Sequence, residues 1–146
     1  MWNSINPEIL ARLPRSAVNG SPNEVHPSLS VPKAEWNECF EKLEKYRSYL
    51  DDWDGQGKFL GKPATAIESE IVDSALALAK ALERIGVSAP HGTYPGLTGS
   101  VSFDWLFENG DSIEFDFVDP ETADVFFLAQ GSDIERLTLT EAISTI

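Results

Sequence analysis

One loop of this sequence carries oxygen ligands at the spacing of a metal site. Asp52, Asp54 and Gln56 stand at alternate positions and are followed by Gly57. This pattern is typical of the first half of a calcium-binding loop. The twelfth position, where a bidentate glutamate normally completes the site, holds Pro63. We therefore expect weak cation binding at best, and the alternative interpretation is a loop whose aspartates cap the following backbone.

Few residues of this chain could act as nucleophiles. Cys39 is the only cysteine, and His26 and His91 are the only histidines. Cys39 lies beside the apolar stripe of a predicted helix, where cysteine most often serves as a small buried hydrophobic residue. The sequence has no Gly-x-Ser-x-Gly elbow, no phosphate-binding glycine loop and no His-Glu-x-x-His motif. We expect no catalytic residue and no cofactor, so an interaction protein is favoured over an enzyme.

Carboxylates are the most abundant reactive groups, and they are unevenly distributed. Twenty-four Asp and Glu against eleven Lys and Arg give a formal net charge of −13. Residues 100–146 hold eleven of the acids and one base, Arg136, for a net charge of −10. Nucleic acid and membrane surfaces both require a basic face, so we expect neither as a direct ligand. The acids predict a basic protein partner or a bound cation, unless they serve solubility alone.

The acidic region also carries the pattern of a β-hairpin. Large apolar residues alternate with polar ones over 101–107 and over 113–117, which is the period of a half-buried strand. Both runs place the apolar residues at odd positions, so facing residues must sum to an even number. That condition requires a loop of odd length. A three-residue loop at 108–110, with Gly110 in the left-handed conformation, satisfies it.

This register brings acidic residues together on the solvent side of the hairpin. It places Asp104 opposite Glu114 and Ser102 opposite Asp116. Like charges that face each other across two strands destabilise the pair. We interpret these four residues as a candidate surface for a basic partner, as in an antitoxin, immunity protein or inhibitor. The alternative function is a small ligand-binding or metal-dependent enzyme domain that uses the loop 52–57.

Two further segments extend the predicted sheet. Residues 124–129 form a third strand, in which the adjacent Phe126 and Phe127 must point to opposite faces. Residues 137–140 form either a fourth strand or the start of a short terminal helix over 141–146. We therefore expect an antiparallel sheet of three to four strands.

Two helices precede the strands. An apolar stripe of helical period predicts the first over residues 33–50. A longer stripe predicts the second over 64–86, with a capping box at Thr65-x-x-Glu68 and a terminating glycine at Gly86. Residues 87–99, rich in glycine and proline, are expected to form a linker. Helices followed by strands indicate an α+β fold with the long helix packed on one sheet face.

The N-terminal residues differ in composition from the rest. Residues 1–32 are rich in proline, serine and asparagine, which predicts an extended or partly disordered arm before a single α+β domain at 33–146. A short helical turn is expected at 7–13, and apolar residues of the arm could dock on the body or on a second copy in a homodimer. The sequence contains neither a secretory signal pattern nor a long apolar run, which predicts a cytoplasmic protein.

The central part of the chain resembles a group of short bacterial proteins of unknown function. The resemblance rests on a Trp-Asp-Gly loop at 50–57, Pro63, an alanine-rich helix, Ala89-Pro90 and a strand with the pattern Phe103-x-Trp105. It covers roughly residues 50–118. The resemblance implies a bacterial or phage cytoplasmic origin and the helix-before-sheet order, and it implies no particular chemistry.

Overall fold

A computed structural model describes residues 5–15 and 35–140 of the chain. Within them, four helices precede a five-stranded antiparallel sheet whose spatial order is the chain order. The helices are α1 (Pro7–Arg12), α2 (Trp36–Tyr46), α3 (Gly57–Leu60) and α4 (Ser69–Arg84). The strands are β1 (Gly92–Pro95), β2 (Val101–Leu106), β3 (Ser112–Phe117), β4 (Thr122–Leu128) and β5 (Glu135–Thr140). The predicted α+β class is confirmed, whereas the predicted two helices and three to four strands are too few.

The additional strand β1 lies in the segment that was predicted to be a linker. Gly92–Pro95 pairs antiparallel with β2, and Thr93 faces Phe103. Glycine and proline are unfavourable inside a sheet, but proline is tolerated at an edge, where its missing N–H is not needed for the ladder. The composition of the segment therefore hid a strand that pairing with β2 stabilises.

The long helix begins later than the sequence predicts. Instead of 64–86, α4 spans Ser69–Arg84, and Glu68 is its N-cap without any side-chain capping bond. The predicted capping box of Thr65 and Glu68 is therefore wrong. The predicted end is confirmed, since Gly86 has a φ of +92°. This is the left-handed conformation that a glycine supplies after a helix.

Tertiary hydrogen bonds hold the residues before α4 in an extended path. The Thr65 amide donates to the Leu97 carbonyl (2.8 Å), and the Ile67 amide donates to the Tyr49 carbonyl (3.1 Å). The Ile67 side chain is nevertheless buried. The apolar pattern therefore begins before the helix does. Ile67 is extended rather than helical, but its side chain fills a position in the same core as the buried residues of α4.

The first predicted helix is shorter than its sequence pattern. The prediction covered 33–50, and α2 spans Trp36–Tyr46 with one buried side. Leu50 was the predicted end of the apolar stripe, yet its side chain is 72% exposed. The chain turns after Tyr46, so Leu50 lies outside the helix and points away from the core.

The hairpin of β2 and β3 has the predicted register. Trp105 faces Ile113, and Phe103 faces Phe115. The Phe107 amide donates to the Asp111 carbonyl (3.0 Å) and closes a three-residue loop. Gly110 in that loop has a φ of +91°. Parity of the apolar positions was therefore sufficient to predict both the pairing and the loop length.

The last two strands settle the alternatives for the end of the sheet. β4 begins two residues before the predicted strand, and residues 135–140 form the strand β5. Phe127 is buried, and Phe126 lies on the opposite face. The centroid of the Phe126 ring is 5.9 Å from the guanidinium carbon of Arg136. The predicted terminal helix at 141–146 lies outside the described residues.

The described part of the N-terminal region packs on the body. The Asn6 side chain accepts a hydrogen bond from the Glu8 amide (2.8 Å) and caps α1. Ile9 and Leu13 are fully buried in the same core as the sheet. The remainder of the predicted arm, 1–4 and 16–32, lies outside the described residues, so its extended character and its role in a homodimer stay predictions.

One hydrophobic core lies between the helices and one face of the sheet. α4 contacts β2 and β3, which places the long helix across the middle strands. The odd-numbered residues of the strands point into this core, and the even-numbered residues point away from it. No helix within 5–15 and 35–140 covers the even-numbered side, which we call the outer face.

Candidate functional site

Four carboxylates lie together on the outer face. Asp104 of β2 is the register partner of Glu114 on β3, and Asp116 of β3 is the partner of Asp124 on β4. We call Asp104, Glu114, Asp116 and Asp124 the acidic face. The predicted pairing of Asp104 with Glu114 is present, and so is that of Ser102 with Asp116. Asp124 joins them because β4 pairs in register with β3, which the sequence pattern did not predict.

Burial and mutual repulsion disfavour the ionised forms of these carboxylates. Partial burial raises the pKa of Asp104, and a hydrogen bond from the Gly92 amide opposes this rise. The pKa of Glu114 is raised by burial first, and then by the charges of Asp116 and Asp104. The pKa of Asp116 is raised by burial and by the charge of Asp124. Folding therefore brings these three acids into surroundings that disfavour their negative charge.

One base partly neutralises one of the four carboxylates. The Arg136 guanidinium lies 3.0 Å from Oδ1 of Asp124, and the Thr138 hydroxyl donates to the same oxygen (3.2 Å). Within the described residues, no ion pair reaches Asp104, Glu114 or Asp116. The described bases of the helical half therefore form no ion pair with the acidic face. Oδ1 of Asp104 is buried and has no hydrogen-bond partner in the described chain.

A tyrosine from β1 borders the acidic face. The Tyr94 ring lies over Gly92, where a Cβ atom would collide with the tyrosine hydroxyl. Burial raises the pKa of Tyr94, and the charges of Asp104 and Glu114 raise it further. Sequence reasoning missed Tyr94 because it treated β1 as a linker. The presence of a glycine and a tyrosine in one short segment was the available signal, since aromatic side chains often shield glycines at the edge of a sheet.

Apolar side chains complete the outer face. These side chains lie at even-numbered positions of β1, β2 and β4, next to the carboxylates. They are Tyr94, Leu106, Phe126 and Leu128. Tyr94 is 49% and Leu106 41% exposed. Protein interfaces commonly combine aromatic and aliphatic groups with polar neighbours in this way. The outer face therefore offers both charge and apolar area to a partner.

The aspartates of the loop 52–57 bond to the backbone of their own loop. Oδ1 of Asp52 accepts from the Gly57 amide (2.9 Å), and Oδ1 of Asp54 accepts from the Gln56 amide (3.2 Å). No group of three potential metal ligands occurs within the described residues. These contacts match the alternative interpretation of a capped loop, and cation binding by Asp52, Asp54 and Gln56 stays a prediction.

The surroundings of Cys39 are unsuited to nucleophilic chemistry. Its side chain is buried, and this burial raises the pKa of the thiol to about 11. A thiol that stays protonated at neutral pH is a poor nucleophile. Nδ1 of His91 accepts a hydrogen bond from the Leu106 amide (3.1 Å) and is occupied by that contact. Cys39 therefore acts as a core residue, as predicted, and His26 lies outside the described residues.

Comparison with protein-family models, with curated proteins and with solved structures finds no match to this chain. The resemblance to short bacterial proteins consequently stays a prediction. Within residues 5–15 and 35–140, no helix has the length and apolar character to cross a bilayer. The fold and the site define an α+β protein with one covered and one acidic sheet face.

Proposed function

We propose that this protein is a non-catalytic interaction module that binds a basic protein partner through its acidic face, as an antitoxin, immunity protein or inhibitor does. The observation that carries the proposal is the grouping of Asp104, Glu114, Asp116 and Asp124 on one sheet face, where Arg136 is the only described base that pairs with any of them. The proposal includes a cytoplasmic location, where a single unpaired cysteine is ordinary.

The energetic cost of the acidic face supports a role beyond solubility. Acids that only maintain solubility can lie apart on loops, as Glu108, Glu121 and Asp133 do on this chain. The pKa values of Asp104 and Glu114 are instead raised, so the folded protein holds negative charge where it is unfavourable. Lysine or arginine side chains of a partner would relieve this repulsion on binding. Relief of this repulsion would therefore contribute favourably to the free energy of binding.

The apolar residues of the outer face restrict the kind of partner further. Tyr94 and Phe126 lie at the two sides of the carboxylates. An arginine can pair with a carboxylate while its planar guanidinium stacks on a neighbouring aromatic ring. We therefore expect an arginine-rich partner surface that also carries apolar residues, rather than a flexible lysine tail.

Affinity capture from the native host tests the proposal. The bait proteins are the wild type, D104N/E114Q/D116N and a control, E108Q/E121Q/D133N, which removes an equal number of negative charges from exposed loops. A basic protein captured by the wild type and by the control should be lost from the first triple variant. The purified pair should then bind at least tenfold more weakly to that variant, and more weakly as salt is raised. Equal binding to all three proteins would contradict the proposal.

A further inference from the structure

The two edges of the sheet differ in how they are closed. At one edge, β1 is short and ends in Pro95. The Tyr46 hydroxyl of α2 donates to the Thr93 carbonyl of β1 (2.8 Å), and α2 packs against this strand. Proline and a packed helix both prevent another strand from pairing at an edge. The β1 edge is therefore protected.

The other edge is less protected within the described residues. The Arg12 guanidinium of α1 bonds to the Glu135 carboxylate at the start of β5 (2.8 Å), but no described helix packs along this strand. Glu135–Thr140 pairs with β4 on one side, and no described strand pairs with its other side. β5 is six residues long, contains neither proline nor lysine, and exposes most of its side chains. Leu137 and Leu139 extend the core layer to this edge. A regular strand with an open row of backbone groups is a template for strand addition.

We propose that β5 accepts an extended segment of the basic partner as a sixth strand of the sheet. The inference rests on the proposed function and specifies how the partner docks. Neighbouring strands lie about 4.8 Å apart, so a sixth strand would be about 10 Å from β4. A lysine or arginine opposite Thr138 would reach over this short side chain to Asp124 and towards Asp116. Charge complementarity therefore favours a basic segment over a second copy of this acidic chain.

The register also specifies the sequence pattern of the added strand. Residues on its inner side would contact Leu137 and Leu139, so we expect them to be apolar. Residues on its outer side would neighbour Thr138 and Arg136. The position opposite Thr138 favours a base, and the position opposite Arg136 disfavours one. Over about six positions, the period of a strand therefore predicts apolar residues alternating with outward polar residues, of which the one opposite Thr138 is basic.

Amide hydrogen exchange of the full chain with synthetic peptides tests the inference. The probe is a blocked octapeptide in which four valines alternate with four polar residues, two of them lysine and two serine. Its controls are a scrambled peptide of the same composition with the four polar residues followed by the four valines, and the alternating peptide with every second amide N-methylated. We expect the alternating peptide to slow exchange of the free β5 amides at least tenfold, and both controls to have little effect. T138K should abolish this protection, whereas S112K, at the far end of the outer face, should preserve it.

The other outcomes separate the two proposals. Peptide binding that D104N/E114Q/D116N abolishes, without protection of β5, would overturn strand addition and leave the proposed function intact. Equal binding of the alternating and N-methylated peptides would also overturn strand addition, as would no binding at millimolar concentration. Protection of the β5 amides in the free chain would mean that the chain itself or a second copy occupies the edge. Dilution distinguishes those two cases, and either one overturns the inference.

Discussion

The two faces of the sheet are built from the same strands but differ in how their side chains affect the stability of the fold. On the inner face, the Trp105 ring packs edge-on against Phe115 with centroids 5.3 Å apart, and both residues are fully buried. On the outer face, the positions next to them hold Asp104 and Glu114. The inner face stabilises the fold by burying aromatic area. The outer face instead holds carboxylates whose ionised forms are disfavoured, which is the reason for proposing that it binds a partner.

The largest expected effect tests the inner face. Trp105→Ala should lower the free energy of unfolding by about 3–5 kcal/mol, because it leaves a large cavity. It also removes the hydrogen bond from the indole N–H to the Ser88 carbonyl (2.9 Å). The matched variant on the outer face, Phe126→Ala, should cost less than about 1 kcal/mol. Urea unfolding measures both, and similar losses would contradict the distinction between the faces.

An aspartate outside the acidic face sharpens the comparison. Asp119 accepts hydrogen bonds from the Glu121 amide (2.8 Å) and from the Thr122 amide (2.9 Å) and hydroxyl (2.8 Å). The Thr122 hydroxyl contributes most to a lowered pKa of Asp119. Asp119→Ala should cost about 1 kcal/mol at pH 7, measured by urea unfolding. Glu121→Ala, two residues further along the same turn, removes an exposed side chain and should have little effect, so it serves as the control.

Neutralising the acidic face should have a smaller effect of opposite sign. D104N/E114Q removes two opposed charges while preserving the shape of both side chains. We expect the free energy of unfolding to rise by about 0.5 kcal/mol at pH 7, since like charges across two strands destabilise the pair. E108Q/E121Q removes two exposed loop charges and is the control. A loss of stability in D104N/E114Q alone would mean that the carboxylates support the fold.

The pH dependence of stability distinguishes the acids of the acidic face from Asp119. The pKa values of Asp104 and Asp116 are raised above the ordinary 3.8, and that of Glu114 above 4.5. Their contribution to stability is therefore complete below those ordinary values and is lost as the pH rises through the raised ones. Asp119 has a lowered pKa, so its contribution is present above 3.8 and is lost as the pH falls through the lowered value.

Thermal unfolding between pH 3 and pH 7 measures this difference. D104N/E114Q/D116N should lose the decline in stability as the pH rises above about 4, relative to the wild type. Asp119→Asn should instead lose part of the decline at the acidic end. A triple variant whose profile runs parallel to that of the wild type over the whole range would refute the assignment of raised pKa values to the acidic face.

Local periodicity determined the hairpin and the charge pairs that it carries. Side chains of a strand alternate between its two faces. Because the apolar residues of β2 and β3 all stand at odd positions, few pairings of the two strands place them on the same face. Gly110 then supplied the loop, and Asp104 was placed opposite Glu114 without any knowledge of the rest of the chain. The concentration of acids in residues 100–146 is also a property of the sequence alone.

Only the tertiary structure decided which segments join those elements. β1 forms because β2 offers it a ladder, and Asp124 joins the acidic face because β4 pairs in register with β3. α4 starts late because the amides of Thr65 and Ile67 bond to distant carbonyls. The physical reason is common to all three cases. Periodicity describes how a segment orders its own side chains, whereas a hydrogen bond to a remote residue depends on where the whole chain places that partner.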